Sequence, residues 1–200
     1  MPTSLHEERL KLVLDTLREH GASRILDLGC GEGPLILALA GDDFFQKVTG
    51  LDISQPALEK CRRALAVAKI ALDGRVAVVN QSFAEADPNL QDYDAAILLE
   101  TIEHIPPARL SKVERAVFNS FYPRLVVITT PNQECNDLLG VPAHRLRHPG
   151  HEFEWIRAKF ETWSRGVAGR NGYAVEFSGI GWAHPAFGAP SQMALFFRDG

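Results

Sequence analysis

Two hundred residues, 46% hydrophobic and 23% charged, suffice for one α/β domain with a substantial core. No apolar run approaches the ~18 residues of a membrane span, and a formal net charge of −4 does not mark a general nucleic-acid coat. Three scattered cysteines (Cys30, Cys61, Cys135) without a CxxC read as reduced thiols. The acidic stretch Met1–Glu8 lacks the basic start and apolar run of a secretory signal, so a cytoplasmic location is expected.

Leu5, Leu10, Leu12, Val13, Leu14 and Leu17 give an amphipathic opening helix that ends near Gly21. Arg24–Leu28 reads as a strand that enters a Gly-rich turn and a helix to Ala40. Lys47–Leu51 is a second strand, followed by a helix from a Ser54 cap to about Lys69. Arg75–Val79 and Asp94–Leu99 read as further strands. A helix is expected over Pro107–Phe121 and a β-branched strand over Arg124–Thr130. Residues 131–150, with three prolines and two glycines, read as a long loop, which in a compact domain is usually functional. A helix over Glu154–Asn171 and strands at Ala174–Gly179 and Gln192–Phe197 close the chain. Strands alternating with helices imply a mostly parallel, doubly wound sheet without a second domain.

The first strand leads into Asp27-Leu28-Gly29-Cys30-Gly31-Glu32-Gly33. Glycines there permit a tight turn and let a ligand lie against bare backbone. The spacing is GxGxG, not the GxGxxG of a pyrophosphate-binding loop, and Glu32 inside it disfavours phosphate. A cationic, phosphate-free cofactor suits it better. Asp52 ends the second strand, where a carboxylate can accept hydrogen bonds from both ribose hydroxyls. The same glycines could serve turn geometry alone, and Asp52 could be a helix cap.

Glu100, Glu103 and His104 sit where the apolar run ending at Leu99 stops. If a helical turn starts at Glu100, the i, i+3, i+4 spacing puts them on one face, where a divalent cation would relieve the repulsion of the carboxylates. The plainer reading is two acids favouring a helix dipole. Charge is also uneven: residues 141–170 carry +3, leaving −7 elsewhere, and hold His144, His148 and His151. Such a patch can dock a short polyanion or be a solvated helix face.

This combination resembles the class I S-adenosylmethionine-dependent methyltransferases, with a Rossmann-like seven-stranded sheet whose last strand is antiparallel. The second half is similar to the small-RNA 3′-terminal 2′-O-methyltransferases (the HUA-enhancer family, methyltransferase domain of the bacterial type). Three blocks carry the likeness. They are Glu100-Thr101-Ile102-Glu103-His104; Thr129-Thr130-Pro131-Asn132 with Glu134 and Asn136; and Leu146–Trp155 with Arg157 and Phe160. Pro190–Ala194 also looks like bacterial members.

The resemblance implies one divalent metal, Mg²⁺ or Mn²⁺, on Glu100, Glu103, His104 and His151, with His148 the weaker candidate. Gly150 departs from the acid usual before the ligand histidine, which would loosen the orientation of His151. It assigns S-adenosylmethionine to Asp27, Gly29, Gly31, Gly33 and Asp52, with Ser82 and Phe83 at the adenine; Phe83 could equally be core. Arg145, Arg147, Arg157 and Lys159 become the expected phosphate contacts. Residues 1–200 form a single methyltransferase domain on this reading, with an N-terminal helix (1–22), a cofactor half (23–99) and a metal and RNA-end half (100–200). The expected activity is methylation of the 2′-hydroxyl of an RNA 3′-terminal nucleotide, the metal holding its 2′- and 3′-hydroxyls. A polynucleotide kinase-phosphatase-ligase is the partner implied in RNA repair, and no membrane partner is expected; oligomeric state is open. Two other readings stay open: a metal-independent methyltransferase of small molecules, and a non-catalytic module that binds RNA ends or a repair partner.

Overall fold

The computed structural model describes residues 4–198; Met1–Thr3 of the N-terminal stretch and Asp199–Gly200 lie outside the described residues. Seven strands form one sheet: β1 Arg24–Leu28, β2 Lys47–Asp52, β3 Val76–Asn80, β4 Ala95–Leu99, β5 Leu125–Pro131, β6 Ala174–Ile180 and β7 Ser191–Phe197. Their spatial order is β3-β2-β1-β4-β5-β7-β6. β7 runs antiparallel to both β5 and β6, and the other pairs are parallel. This is the Rossmann-like methyltransferase arrangement expected.

Period-2 alternation builds two core layers. On β1, β4 and β5, Leu26, Leu28, Ala96, Leu98, Val126 and Ile128 face one layer, with Phe118, Phe121, Phe160 and Phe196. Ile25, Ala95, Ile97, Leu125 and Val127 face the other, which packs on Val13 and Leu17 of α1 (Ser4–Glu19), Leu35 and Leu39 of α2 (Pro34–Ala40), and Leu58 and Leu65 of α3 (Gln55–Val67). A sheet covered on both faces needs apolar side chains on both, which is why these strands read as continuous apolar runs. Each such Phe or Leu contributes roughly 1.5–3 kcal/mol by leaving water.

Three local expectations change. The run expected as one helix over Pro107–Phe121 alters pitch twice: a 3-10 turn (Pro107–Arg109), α4 (Leu110–Glu114), then a π-helical stretch (Arg115–Phe121) that turns Val117, Phe118 and Phe121 inward. α5 spans Arg157–Asn171 and so begins three residues after Glu154. Trp155 bridges to Asn132 and Ile156 is extended, which keeps 154–156 out of the helix. Glu100 opens no helical turn: its φ is +50°, and a 3-10 turn follows at Ile102–His104. The three cysteines are free, as expected, and the structure adds that all three are buried.

The order reverses beside β1, whose chain continues outward through β2 and β3 while β4 and β5 fill the other side. A crevice opens at the carboxyl ends of strands at such a reversal. The glycine loop leaves β1 there and the Glu100–His104 turn leaves β4 there.

Candidate active site

Gly29 adopts φ +82°, and a Cβ on it would stand 2.5 Å from Thr101 Cγ2. Only glycine fits both the turn and the approach of the Thr101 segment. Gly33 also has a positive φ and lies against the Cys61 thiol of α3, so it serves packing of the loop and lines neither cavity described below. The Gly31 N–H donates to Asp52 Oδ2 at 2.9 Å, and the Ser54 N–H donates to Oδ1 at 2.7 Å. Asp52 therefore ties the loops after β1 and β2 together while each oxygen keeps a lone pair for a ligand. Glu32 is paired by Lys60 at 2.6 Å and lines the second cavity described below. A cavity of about 670 Å³ is lined by Gly29, Gly31, Asp52, Ser82, Phe83 and Glu100, among others. That is the size of a small-molecule pocket. Phe83 both lines it and packs on the core.

A second cavity of about 570 Å³ shares Gly29, Gly31, Glu100 and His104 with the first. Asp27, Glu103, His148 and His151 also line it. Asp27 is buried; that burial, and then the charge of Asp52, lift its carboxyl to about 7. Glu100 is fastened at both oxygens: Thr129 Oγ1 donates to Oε1 at 2.9 Å, and the Arg9 guanidinium of α1 stands 3.1 Å from Oε2. Glu103 is fully buried. Thr130 Oγ1 donates to its Oε2 at 3.0 Å, while its Oε1 has no hydrogen-bond partner among the described residues. Burial first, then the charge of Glu100, pushes the Glu103 carboxyl well above the usual carboxylate range. A buried acceptor without a donor points to a missing positive partner.

The histidines supply the rest. His104 Nδ1 lies 3.0 Å from the Gly150 carbonyl oxygen, and burial lowers its pKa. His151 Nδ1 lies 2.6 Å from Glu154 Oε1. Each acceptor calls for a proton on Nδ1, which leaves Nε2 as a free donor of electrons, the arrangement metal-binding histidines use. Glu154 thus does the orienting that an acid at position 150 was expected to do. His148 joins them: ligand atoms of His104, His148 and His151 lie within 4.8 Å of one another. Its Nδ1, however, accepts from the Gly150 N–H at 3.0 Å, so its neutral ring carries the proton on Nε2. Two carboxylates and two imidazoles are the kind of donor set an octahedral Mg²⁺ or Mn²⁺ takes, but among the described residues the ligand atoms that lie within 4.8 Å of one another are those of the three histidines, without Glu100 or Glu103.

The four basic residues separate into two pairs. Arg145 and Lys159 are exposed. Arg147 is turned inward, with Nε donating to Asn136 Oδ1 at 2.7 Å, Nη1 to the Pro190 carbonyl at 2.8 Å and Nη2 to the Asn132 carbonyl. Arg157 forms a paired contact with Glu134, its Nε 2.7 Å from Oε2. Sequence reasoning missed Arg9 and His6, which line the second cavity from α1. Arg9 occupies one face of an amphipathic helix, and that alone does not distinguish it from a solvated arginine.

Residues 25–123 match a family described as a methyltransferase domain. The small RNA 2′-O-methyltransferase of Gallus gallus is 35% identical over 184 residues, covering 88% of this chain and 48% of that protein. The chain spans about half the length of the vertebrate relatives it matches. A crystal structure of the methyltransferase domain of bacterial CtHen1 superposes with a TM-score of 0.88 at 36% identity, covering 97% of this chain and all of that one. The small RNA methyltransferase HEN1 superposes with a TM-score of 0.90 at 32% identity, covering the whole of this chain and 27% of that one.

Proposed function

Because the chain belongs to the small RNA 2′-O-methyltransferase family, we propose that it transfers a methyl group from S-adenosylmethionine to the 2′-hydroxyl of the 3′-terminal nucleotide of an RNA. One divalent cation, Mg²⁺ or Mn²⁺, belongs to this reading, held by Glu100, Glu103, His104 and His151. The observation that carries it is the common wall of the two cavities: Gly29, Gly31, Glu100 and His104 line both. Donor and acceptor brought to opposite sides of that wall react as neighbours, a gain in effective concentration that no side chain need supply chemically.

Asp27, Gly29, Gly31 and Asp52 would hold the methionyl and ribose parts of the cofactor, with Ser82 and Phe83 beside the adenine. The charge of Asp52 favours its sulfonium, and a sulfonium nearby would in turn favour release of the Asp27 proton. Arg9, Thr129 and Thr130 hold the glutamates, the Gly150 carbonyl holds His104 and Glu154 aims His151, so these four side chains keep their directions before any ligand arrives. A bound divalent cation would supply a positive charge that makes a ribose hydroxyl easier to deprotonate. The 2′-oxygen attacks the sulfonium methyl as its proton passes to solvent water; the carbon–sulfur bond breaks, its electron pair stays on sulfur, and S-adenosylhomocysteine departs. A site that grips adjacent 2′- and 3′-hydroxyls accepts only a terminal ribose, since an internal 3′-oxygen is esterified.

Residues 23–99 serve the cofactor on this reading and 100–200 the cation and RNA end, with residues 1–22 adding Arg9. Arg145 and Lys159 are the phosphate contacts it favours. A metal-independent reaction on a small molecule would leave Glu100, Glu103, His104 and His151 without a common task. The repair partner, a polynucleotide kinase-phosphatase-ligase, belongs to the same proposal. A structure described as the Pnkp1/Rnl/Hen1 RNA repair complex contains a chain of this fold at 22% identity, a likeness that carries the fold alone.

The test is labelled-methyl transfer to an RNA with a free 3′ end and to its 3′-phosphorylated twin, with Mn²⁺ or with chelator. Methylation of the free end alone, and only with cation, is expected. Glu103→Ala and His104→Ala should fold, bind cofactor and transfer nothing. Equal methylation of both RNAs would sink the end specificity, and full activity in chelator would sink the cation.

A further inference from the structure

We propose that the loop 181–190, between β6 and β7, is an aromatic platform on which bases preceding the RNA 3′ end stack. The inference rests on the function proposed above and adds where the rest of the strand goes. Trp182 is 46% exposed and Phe187 39% exposed. The rings of Phe187 and His184 stack with centroids 4.8 Å apart and planes 13° from parallel.

This loop is held unusually firmly for one that exposes large rings. The His184 N–H donates to the Gly188 carbonyl and the Gly188 N–H to the His184 carbonyl, both at 2.8 Å. His184 Nδ1 accepts from the Ala186 and Phe187 N–H groups at 3.2 Å. The fully buried Asn132 gives its amide protons to the Phe187 and Ala189 carbonyls at 2.8 and 2.9 Å. Arg157 Nη2 donates to the Ala186 carbonyl at 2.7 Å. The Phe187 and His184 rings, on backbone fixed in this way, lose little freedom when a base lands on them.

Position and charge select the occupant. At its first residue the loop packs on α1, where a Cβ on Gly181 would stand 2.8 Å from Leu5 Cδ1. The next residue of α1, His6, lines the second cavity, where Glu100, Glu103, His104 and His151 meet. Towards its other end, Gly188 packs on Arg157, two residues before the exposed Lys159. No Asp or Glu occurs from Phe177 to Arg198, so nothing in the loop repels a polyanion. Separate exposed rings, with Arg157 paired to Glu134 at one edge of the loop, suit a single strand, whose bases all offer a flat face. A protein partner would call for a continuous apolar patch.

The experiment measures binding of a labelled single-stranded RNA of about ten nucleotides to the full chain with S-adenosylhomocysteine present. Trp182→Ala and Phe187→Ala should each raise Kd about 5-fold or more, and Trp182→Phe should restore it. Melting temperature, cofactor affinity and kcat on a dinucleotide acceptor should match the parent. Unchanged Kd for the long RNA overturns the platform, as does an equal loss for RNA and dinucleotide. If the parent methylates RNA while the variants bind it normally, only the platform fails. If the parent neither binds nor methylates RNA, the function fails first and the platform with it.

Discussion

The Arg9 guanidinium, on the first helix, reaches across to stand 3.1 Å from Glu100 Oε2 while its Nε donates to Ser191 Oγ at 2.9 Å. A cation from α1 thus balances a carboxylate from the end of β4, and the first residue of β7 steadies both. Neither Arg9 nor Glu100 is more than a fifth exposed. Removing one partner of such a pair leaves the other charge stranded in poor solvent, at a cost of about 2–4 kcal/mol. Arg9→Met should therefore lower thermal stability in the absence of divalent cation. Added Mn²⁺ should recover more stability in the variant than in the parent, because it replaces the missing positive charge. Equal Mn²⁺ shifts in thermal melts of the two proteins would show that Arg9 does not answer Glu100.

Asp27 gives a pH signature in the cofactor-free chain. Its folded value of about 7 exceeds the ordinary 3.8 because of burial and then the charge of Asp52. Between those values the folded state holds a proton that the unfolded chain has released. Its contribution to stability therefore falls as pH rises across the window and is flat above it. Each pH unit carries about 1.4 kcal/mol, so the total is on the order of a few kcal/mol. Urea melts of the parent and Asp27→Asn should diverge from pH 4 to 7, with the variant gaining relative to the parent. A constant difference across that range would contradict the placement of the proton.

Glu154 is buried and accepts from His151 Nδ1 and Asn136 Nδ2 at 2.6 Å and from the Arg147 N–H at 2.7 Å. Burial opposes its charge, yet these bonds outweigh it and hold the carboxyl below its usual value. A glutamine there must point an N–H₂ at one of those donors. Glu154→Gln should weaken Mn²⁺ binding by about 10- to 100-fold with cofactor affinity unchanged, the effect typical of groups that aim a ligand. Calorimetry that finds parental Mn²⁺ affinity would make Glu154 a purely structural anchor.

Arg145 and Arg147 should part company under the same substitution. Arg147→Ala leaves three acceptors, on Asn132, Asn136 and Pro190, without their donor, and should cost about 3 kcal/mol or more. Arg145→Ala should change stability by about 0.5 kcal/mol or less. Its effect should appear in RNA affinity and in a shallower dependence of that affinity on salt. Stability and RNA titrations at two salt concentrations distinguish them, and matching losses of stability would refute the division.

Strand positions were legible because each is a short continuous apolar run between turn residues, as a sheet buried on both faces requires, and the two core layers follow from it. The Glu100–His104 and His151 groups were legible as residue types, and the structure does bring them to one cavity. How Glu100 gets there was not: a left-handed glutamate is imposed by Thr129 and Arg9, neither of which is near it in sequence. Arg147 misled for the same reason. An arginine in a basic loop turns inward only if carbonyls from distant segments converge on it, and sequence spacing does not record that. His148 lies three residues before His151, yet its Nδ1 is claimed by the Gly150 N–H through a turn that no periodicity reveals.

Thr129 and Thr130 are consecutive residues of β5, and each grips a different glutamate. β5 pairs there with Met193 and Gln192 of β7, so a one-residue slip would exchange the faces of both threonines and release both acids together. Acceptor chemistry is thereby tied to a strand far along the chain, whereas the Gly31–Asp52 hydrogen bond joins the ends of the first two strands. An insertion or deletion in β7 that shifts this pairing would therefore be felt at two acids far upstream in the chain.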